Sequence, residues 1–160
     1  MKFIKELIPY AVILLVVVLI RTFIVTPVIV DGSSMEKTLF DGNILLLKKY
    51  DKHYDRFDVV VFDYNDTKLI KRIIGLPGET VKYVDGLLYI NDKVIDDKFS
   101  NITANFSLSK LGLDVIPEGY YFVMGDNRNK SSDSRVIGLI SKDVINGSTS
   151  FKLWPTGFIK

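Results

Sequence analysis

Residues 7–20 form an almost unbroken apolar run, and after Arg21 and Thr22 it resumes with Phe23-Ile24-Val25. A helix from about residue 3 to residue 25 is roughly 35 Å long at 1.5 Å per residue, enough to cross a hydrocarbon layer of about 30 Å. Few other structures suit such a segment. A core helix needs a partner layer, and the rest of the chain is strand-rich with no second helical pattern of similar length. A cleaved leader needs small residues before its cut, and Arg21-Thr22-Phe23-Ile24-Val25-Thr26-Pro27 holds no Ala-x-Ala-like site. The run is therefore predicted to be an uncleaved anchor in contact with membrane lipid. Pro9 falls in its first turns, and Arg21 extends its aliphatic stem toward the interface. Lys2 and Lys5 favour an N-terminus inside the cell, which puts residues 26–160 on the extracytoplasmic side.

Those residues, about 135 of them, make one ordinary domain. Its pattern is mostly β, with antiparallel pairing. Ile29 and Val30 lead into the turn Asp31-Gly32, and Asn43-Ile44-Leu45-Leu46-Leu47 follows a second turn at Asp41-Gly42. Arg56-Phe57-Asp58-Val59-Val60-Val61-Phe62 is a strand covered on both faces. The run 80–84, the turn Asp85-Gly86 and the run 87–90 form a hairpin, with Val94-Ile95 as the next strand of a meander. Residues 96–113 lose this pattern and are expected to be a variable loop or small insertion. A further strand ends at Met124, and the chain closes on Phe151-Lys152-Leu153-Trp154-Pro155, whose aromatics suit either a core or an interface.

Composition narrows the chemistry. Cysteine is absent, which excludes thiol catalysis, cysteinyl metal sites and disulfides. A net charge of +2, with basic and acidic residues interleaved, does not suit a nucleic-acid partner. The one histidine, His53, lies in a polar run and reads as a solvated side chain. No metal is expected, because Arg128 and Lys130 fall where a calcium loop requires oxygen ligands, and no other cofactor is implied. Ser34, on a glycine-containing turn just beyond the apolar segment, is the candidate nucleophile, and it needs a base. In Lys68-Leu69-Ile70-Lys71-Arg72-Ile73-Ile74-Gly75, strand alternation aims Lys71 to the same face as Leu69 and Ile73, where desolvation lowers an amine's pKa. Both residues also have ordinary readings, as a turn serine and as a strand-edge lysine with its head in water.

Four stretches, taken in order behind the apolar segment, resemble the bacterial type I signal peptidases (leader peptidases), membrane-bound Ser/Lys proteases. Gly32-Ser33-Ser34-Met35-Glu36-Lys37-Thr38-Leu39 is similar to the family's Ser-Met-x-Pro-Thr-Leu box. Residues 56–62 match its strand box, and Lys71-Arg72-Ile73-Ile74-Gly75-Leu76-Pro77-Gly78 its Lys-Arg box. Gly125-Asp126-Asn127-Arg128, with Ser131, Asp133, Ser134 and Arg135, matches its Gly-Asp-Asn-Arg box. Lys37 departs from the pattern by replacing its proline. Gly32, two residues before the nucleophile, matches the Gram-positive-type branch.

The resemblance implies a barrel-like catalytic β-domain that removes signal peptides from exported preproteins, cutting after small residues of Ala-x-Ala type. It makes Ser34 the nucleophile and Lys71 the general base. Ser131 orients the amine, Asp133 and Arg135 brace the loop with Arg72 nearby, and Gly32 and Ser33 support the oxyanion turn with the main-chain N–H of Ser34. No cofactor or metal takes part. The alternatives are a self-cleaving repressor, which requires a DNA-binding domain where the apolar helix stands, and a non-catalytic, membrane-anchored β-domain that binds exported polypeptides. Retention of both Ser34 and Lys71 argues against the second.

Overall fold

The computed structural model describes residues 2–99 and 103–159. Its first element, α1 (Lys2–Phe23), contains Pro9, and its window Glu6–Phe23 has a mean hydropathy of 2.1 with none of it buried against the protein. The side chains of Lys2 and Lys5 lie outside the described residues. The helix stops short of the end of the apolar run because Val25 begins β1 (Val25–Ile29), which pairs along its whole length with β2 (Ile44–Lys48). Two side chains close the helix end: Thr26 Oγ1 donates to Arg21 O at 2.8 Å, and Lys49 Nζ to Thr22 O at 3.3 Å. Such contacts satisfy carbonyls that a helix terminus leaves without partners.

The remaining chain is an antiparallel β structure. Next come β3 (Val59–Tyr64), β4 (Thr67–Gly75), β5 (Val81–Val84), β6 (Leu87–Ile90), β7 (Lys93–Ile95), β8 (Phe106–Ser107) and β9 (Tyr120–Met124). The short helix α2 (Ser134–Ile137) then precedes β10 (Ile140–Ser141), β11 (Ile145–Thr149), β12 (Phe151–Trp154) and β13 (Gly157–Phe158). The larger sheet runs β10-β9-β4-β3-β11-β2-β12-β13 with β1 added to β2, and the smaller runs β7-β6-β5-β8. The hairpin turn reads as the sequence suggests: Asp85 and Gly86 have φ of 49° and 82°, the left-handed pair that matches strand twist.

Alternation along β3 explains why the sheet has two cores. Val59 and Val61 pack with Met35, Leu39, Leu45, Leu47 and Ile70, while Val60 and Phe62 pack with Tyr54, Ile73, Val123 and Ile145 on the other face. A central strand covered on both sides reads as a continuous apolar run. A third cluster, including Ile74, Tyr83, Leu88, Ile116 and Phe122, joins the two sheets.

The segment 96–113, read from the sequence as a variable loop or small insertion, is tied into the smaller sheet. It carries β8, whose Phe106 pairs with Tyr83 of β5, and a 3₁₀ turn whose Leu108 is buried. Residues 100–102 of it lie outside the described residues. It escapes sequence patterning because its anchors are polar and non-local. Asp97 accepts hydrogen bonds from Tyr83 Oη at 2.6 Å and Arg128 Nη1 at 2.7 Å, and both members of that ion pair are buried. Asp97→Ala strands a buried guanidinium and is expected to lower the unfolding free energy in urea by about 3–5 kcal/mol. A loss below about 1 kcal/mol would mean that the Asp97–Arg128 pair does not hold the segment in place.

Candidate functional site

The turn after β1 is held from outside and below. Val30 N donates to Asn43 O, and Gly42 N returns a bond to Val30 O, fixing the neck of the loop. Within it, Glu36 N donates to Ser33 O at 3.1 Å and Leu39 N to Met35 O at 2.9 Å, so residues 33–39 close into successive tight turns. Met35 and Leu39 point inward as its apolar pegs. Ser34, on the turn's partly exposed side, is left facing β4.

Lys71 meets it there. Lys71 Nζ lies 2.7 Å from Ser34 Oγ and 3.2 Å from Ile70 O, and the residue is 2 % exposed. Burial pushes its amine below the ordinary lysine range, while the carboxylates of Asp133 and Asp126 pull it part of the way back. An amine that sheds its charge more easily than usual, within hydrogen-bond reach of a serine hydroxyl, has the geometry of a base–nucleophile pair. His53 is no rival. Its side chain is 84 % exposed and its ring faces Asp55 at 3.7 Å.

Gly125, the residue after β9, brings the third segment in. A Cβ built there would stand 2.4 Å from Ser34 O and 2.3 Å from Ser131 Oγ, so only glycine lets the serine turn sit on the strand. Asn127 then clamps that turn. Its N–H donates to Ser34 O at 3.0 Å, and its Nδ2 to Ser33 O and Glu36 Oε2, both at 3.1 Å. Sequence reasoning gave Asn127 no role. The signal available was its place in the dense polar run after β9.

Two arginine–carboxylate pairs, one buried and one half-buried, frame the amine. Arg72 Nε and Nη2 donate to Asp126 at 2.9 and 2.7 Å, and Thr38 Oγ1 donates to the same carboxylate at 2.6 Å. Arg72 Nη1 also reaches Phe57 O at 2.7 Å, and its guanidinium stacks 3.5 Å from the centre of the Phe99 ring. Asp133 caps α2, accepts from Gly125 N at 3.0 Å, and takes Arg135 Nε and Nη2 at 2.8 and 2.9 Å.

Not every expected contact forms. Ser131 Oγ is buried beside the Gly125 position but has no hydrogen-bond partner among the described residues, so it does not orient the amine here. Gly32, at φ 94°, donates its N–H to Asp41 Oδ1 at 2.9 Å, which holds the turn that carries Ser34. Ser33 contributes its carbonyl to the Asn127 clamp. The main-chain N–H of Ser34 has no acceptor among the described residues.

Comparison with known proteins shows which family the chain resembles. Residues 3–154 match the family model described as signal peptidase, peptidase S26. Signal peptidase I S of Bacillus subtilis (strain 168) is 40 % identical over 154 residues, covering 86 % of this chain and 81 % of that protein. Signal peptidase IB of Staphylococcus aureus (strain Mu50 / ATCC 700699) is 37 % identical over 175 residues, covering 96 % and 91 %. The crystal structure of a signal peptidase I from Enterococcus faecalis V583 superposes with a TM-score of 0.58 at 37 % identity, covering 60 % of this chain and 96 % of that one.

The depressed Lys71 pKa links stability to pH. Between its folded value and the unfolded value of about 10.4 the unfolded chain binds the extra proton, so stability rises with pH through that window and falls as pH drops through the folded value. Urea unfolding of the wild type should therefore gain on Lys71→Met as pH is raised from neutrality toward 10. A difference that stays constant with pH would mean the folded chain keeps an ordinary lysine.

Proposed function

The chain belongs to the signal peptidase family, peptidase S26, and is a serine protease; from that premise we propose that it removes N-terminal signal peptides from exported preproteins with a Ser34/Lys71 dyad. The 2.7 Å contact between a buried lysine amine and the serine hydroxyl carries the reading. Neutral Lys71 takes the Ser34 proton as Oγ attacks the carbonyl following a small residue. The resulting ammonium returns the proton to the leaving amine, which is the new N-terminus of the mature protein. Lys71 then deprotonates a water that hydrolyses the acyl-enzyme and frees the signal peptide.

The unpaired N–H of Ser34 supports a backbone donor for the oxyanion, since Gly32 is engaged elsewhere. Ser131 Oγ, buried and without a partner among the described residues, is the hydroxyl to which the amine turns once Ser34 is acylated. Asp133–Arg135 and Arg72–Asp126 position the loop rather than touch substrate. Small pockets discriminate by sterics, and alanine-like residues at the first and third positions before the cut suit them.

Residues 1–25 serve as the cytoplasmic tip and membrane anchor, and 26–160 as the extracytoplasmic peptidase domain. Support comes from the bare apolar surface of α1 and from exposed Ile29 and Trp154, the latter 68 % accessible, which are register neighbours of Ile44 on either side of β2. That surface lies between the helix and the serine turn, where a membrane-embedded signal peptide is presented.

The test is cleavage of a detergent-solubilised preprotein bearing an Ala-x-Ala site, with the product's new N-terminus sequenced. Wild type should cut after the alanine, with kcat/KM rising through a pKa below the ordinary lysine range. Ser34→Ala and Lys71→Ala should each lose about 10⁴-fold or more. Gly125→Ala, which displaces the serine turn, should lose about a hundredfold. Binding without cleavage by the wild type would favour the non-catalytic module, and residual activity of Lys71→Ala across pH would remove the lysine from the base role.

A further inference from the structure

The end of α1 and the β-domain enclose an open cleft of about 450 Å³ whose lining includes neither Ser34 nor Lys71, and the proposed chemistry makes no use of it. Its floor is apolar, from Phe23, Val28 and Leu47, and three lysines, Lys49, Lys52 and Lys68, stand around it. Lys49 gives one hydrogen bond to Thr22 O and Lys52 one to Ile145 O, leaving each ammonium with donors that no described residue takes. Lys68 is paired with Asp63 and Asn146 at the far rim. Asp143 is the one carboxylate lining the cleft, so cationic charge prevails there.

We propose that this cleft binds the phosphodiester headgroup of an anionic phospholipid, with the acyl chains running back along the exposed face of α1. The inference rests on the reading of α1 as a membrane helix and deepens it. A cleft lined by the last turn of such a helix opens at headgroup depth, and lysines beside an anionic leaflet each contribute about 1 kcal/mol of attraction, or about fivefold in binding. The apolar floor continues into the bare helix surface, which suits a ligand that is charged at one end and aliphatic at the other. A peptide segment would leave its backbone groups facing Phe23, Val28 and Leu47 without partners.

The probe is full-length protein floated with vesicles of phosphatidylcholine alone or with about a third phosphatidylglycerol, followed by mass spectrometry of the lipids it retains in detergent. The expectation is preferential retention of phosphatidylglycerol, weakened by high salt. Lys49→Gln and Lys52→Gln should each lower it about fivefold while preprotein cleavage in detergent is unchanged. Lys49→Gln serves where Lys52→Gln fails to fold, since only the latter gives up a bond into β11. Flotation with equal retention of both lipids, or unchanged retention in the variants, overturns the headgroup site and leaves the anchor standing. Failure to float overturns the anchor itself and the site with it. Displacement of phosphatidylglycerol by millimolar glycerol 3-phosphate would assign the lysines to a soluble phosphate instead.

Discussion

The buried pair Arg72–Asp126 is the constraint on which the rest of the site depends. Asp126 is fully buried and Arg72 nearly so, and the two are joined by a fork of two hydrogen bonds. Taking both charges out of water costs several kcal/mol each, and their attraction roughly returns it, so the pair is a poor source of net stability. Its effect is positional. One carboxylate holds β4 through Arg72, the serine turn through Thr38, and the loop after β9 through its own backbone. Those three segments are the ones that must converge for Lys71, Ser34 and Gly125 to meet.

The same pairings explain how a lysine stays short of its usual basicity beside two acids. Both nearby carboxylates favour the charged amine, and unopposed they would restore it. Neither is unopposed. Asp126 is satisfied by Arg72 and Thr38, and Asp133 by Arg135 and the Gly125 N–H, so each carries most of its field toward a fixed partner. Burial is then the larger influence on Lys71. The arginines act on the Lys71 amine through the acids, without touching it.

Local rules carried the strands, because β3 alternates across two cores and the Asp85-Gly86 turn has one cheap conformation. Ser34 and Lys71 were legible as a turn serine and an inward lysine, and became a pair through the family pattern. Three things were not legible. Asn127's clamp spans more than ninety residues of sequence, Asp97's bond to Arg128 spans about thirty, and the idle hydroxyl of Ser131 depends on packing against Gly125. Each is a polar, non-local contact, to which hydrophobic periodicity is blind. Gly32 is of the same kind: the bond from its N–H to Asp41, nine residues on, is a polar turn contact that periodicity does not show.

Lys37 is where the chain departs from the family box, and its backbone shows what the departure entails. Its φ is 108°, whereas a proline ring holds φ near −65°, so the turn built here is one that proline cannot adopt. A side chain at such a positive angle costs about 1–3 kcal/mol, which the surroundings must over-determine. They do so from both ends. Met35 and Leu39 are buried on either side, Thr38 is tied to Asp126, and Asn127 fixes the carbonyls of Ser33 and Ser34. The Lys37 ammonium itself is directed to Phe99 O, 3.5 Å off, on the segment whose ring covers Arg72. The rigidity that a proline supplies within the chain is thus supplied here by contacts across it, and these hold Ser34 against Lys71 while the residue three positions on takes an angle closed to proline.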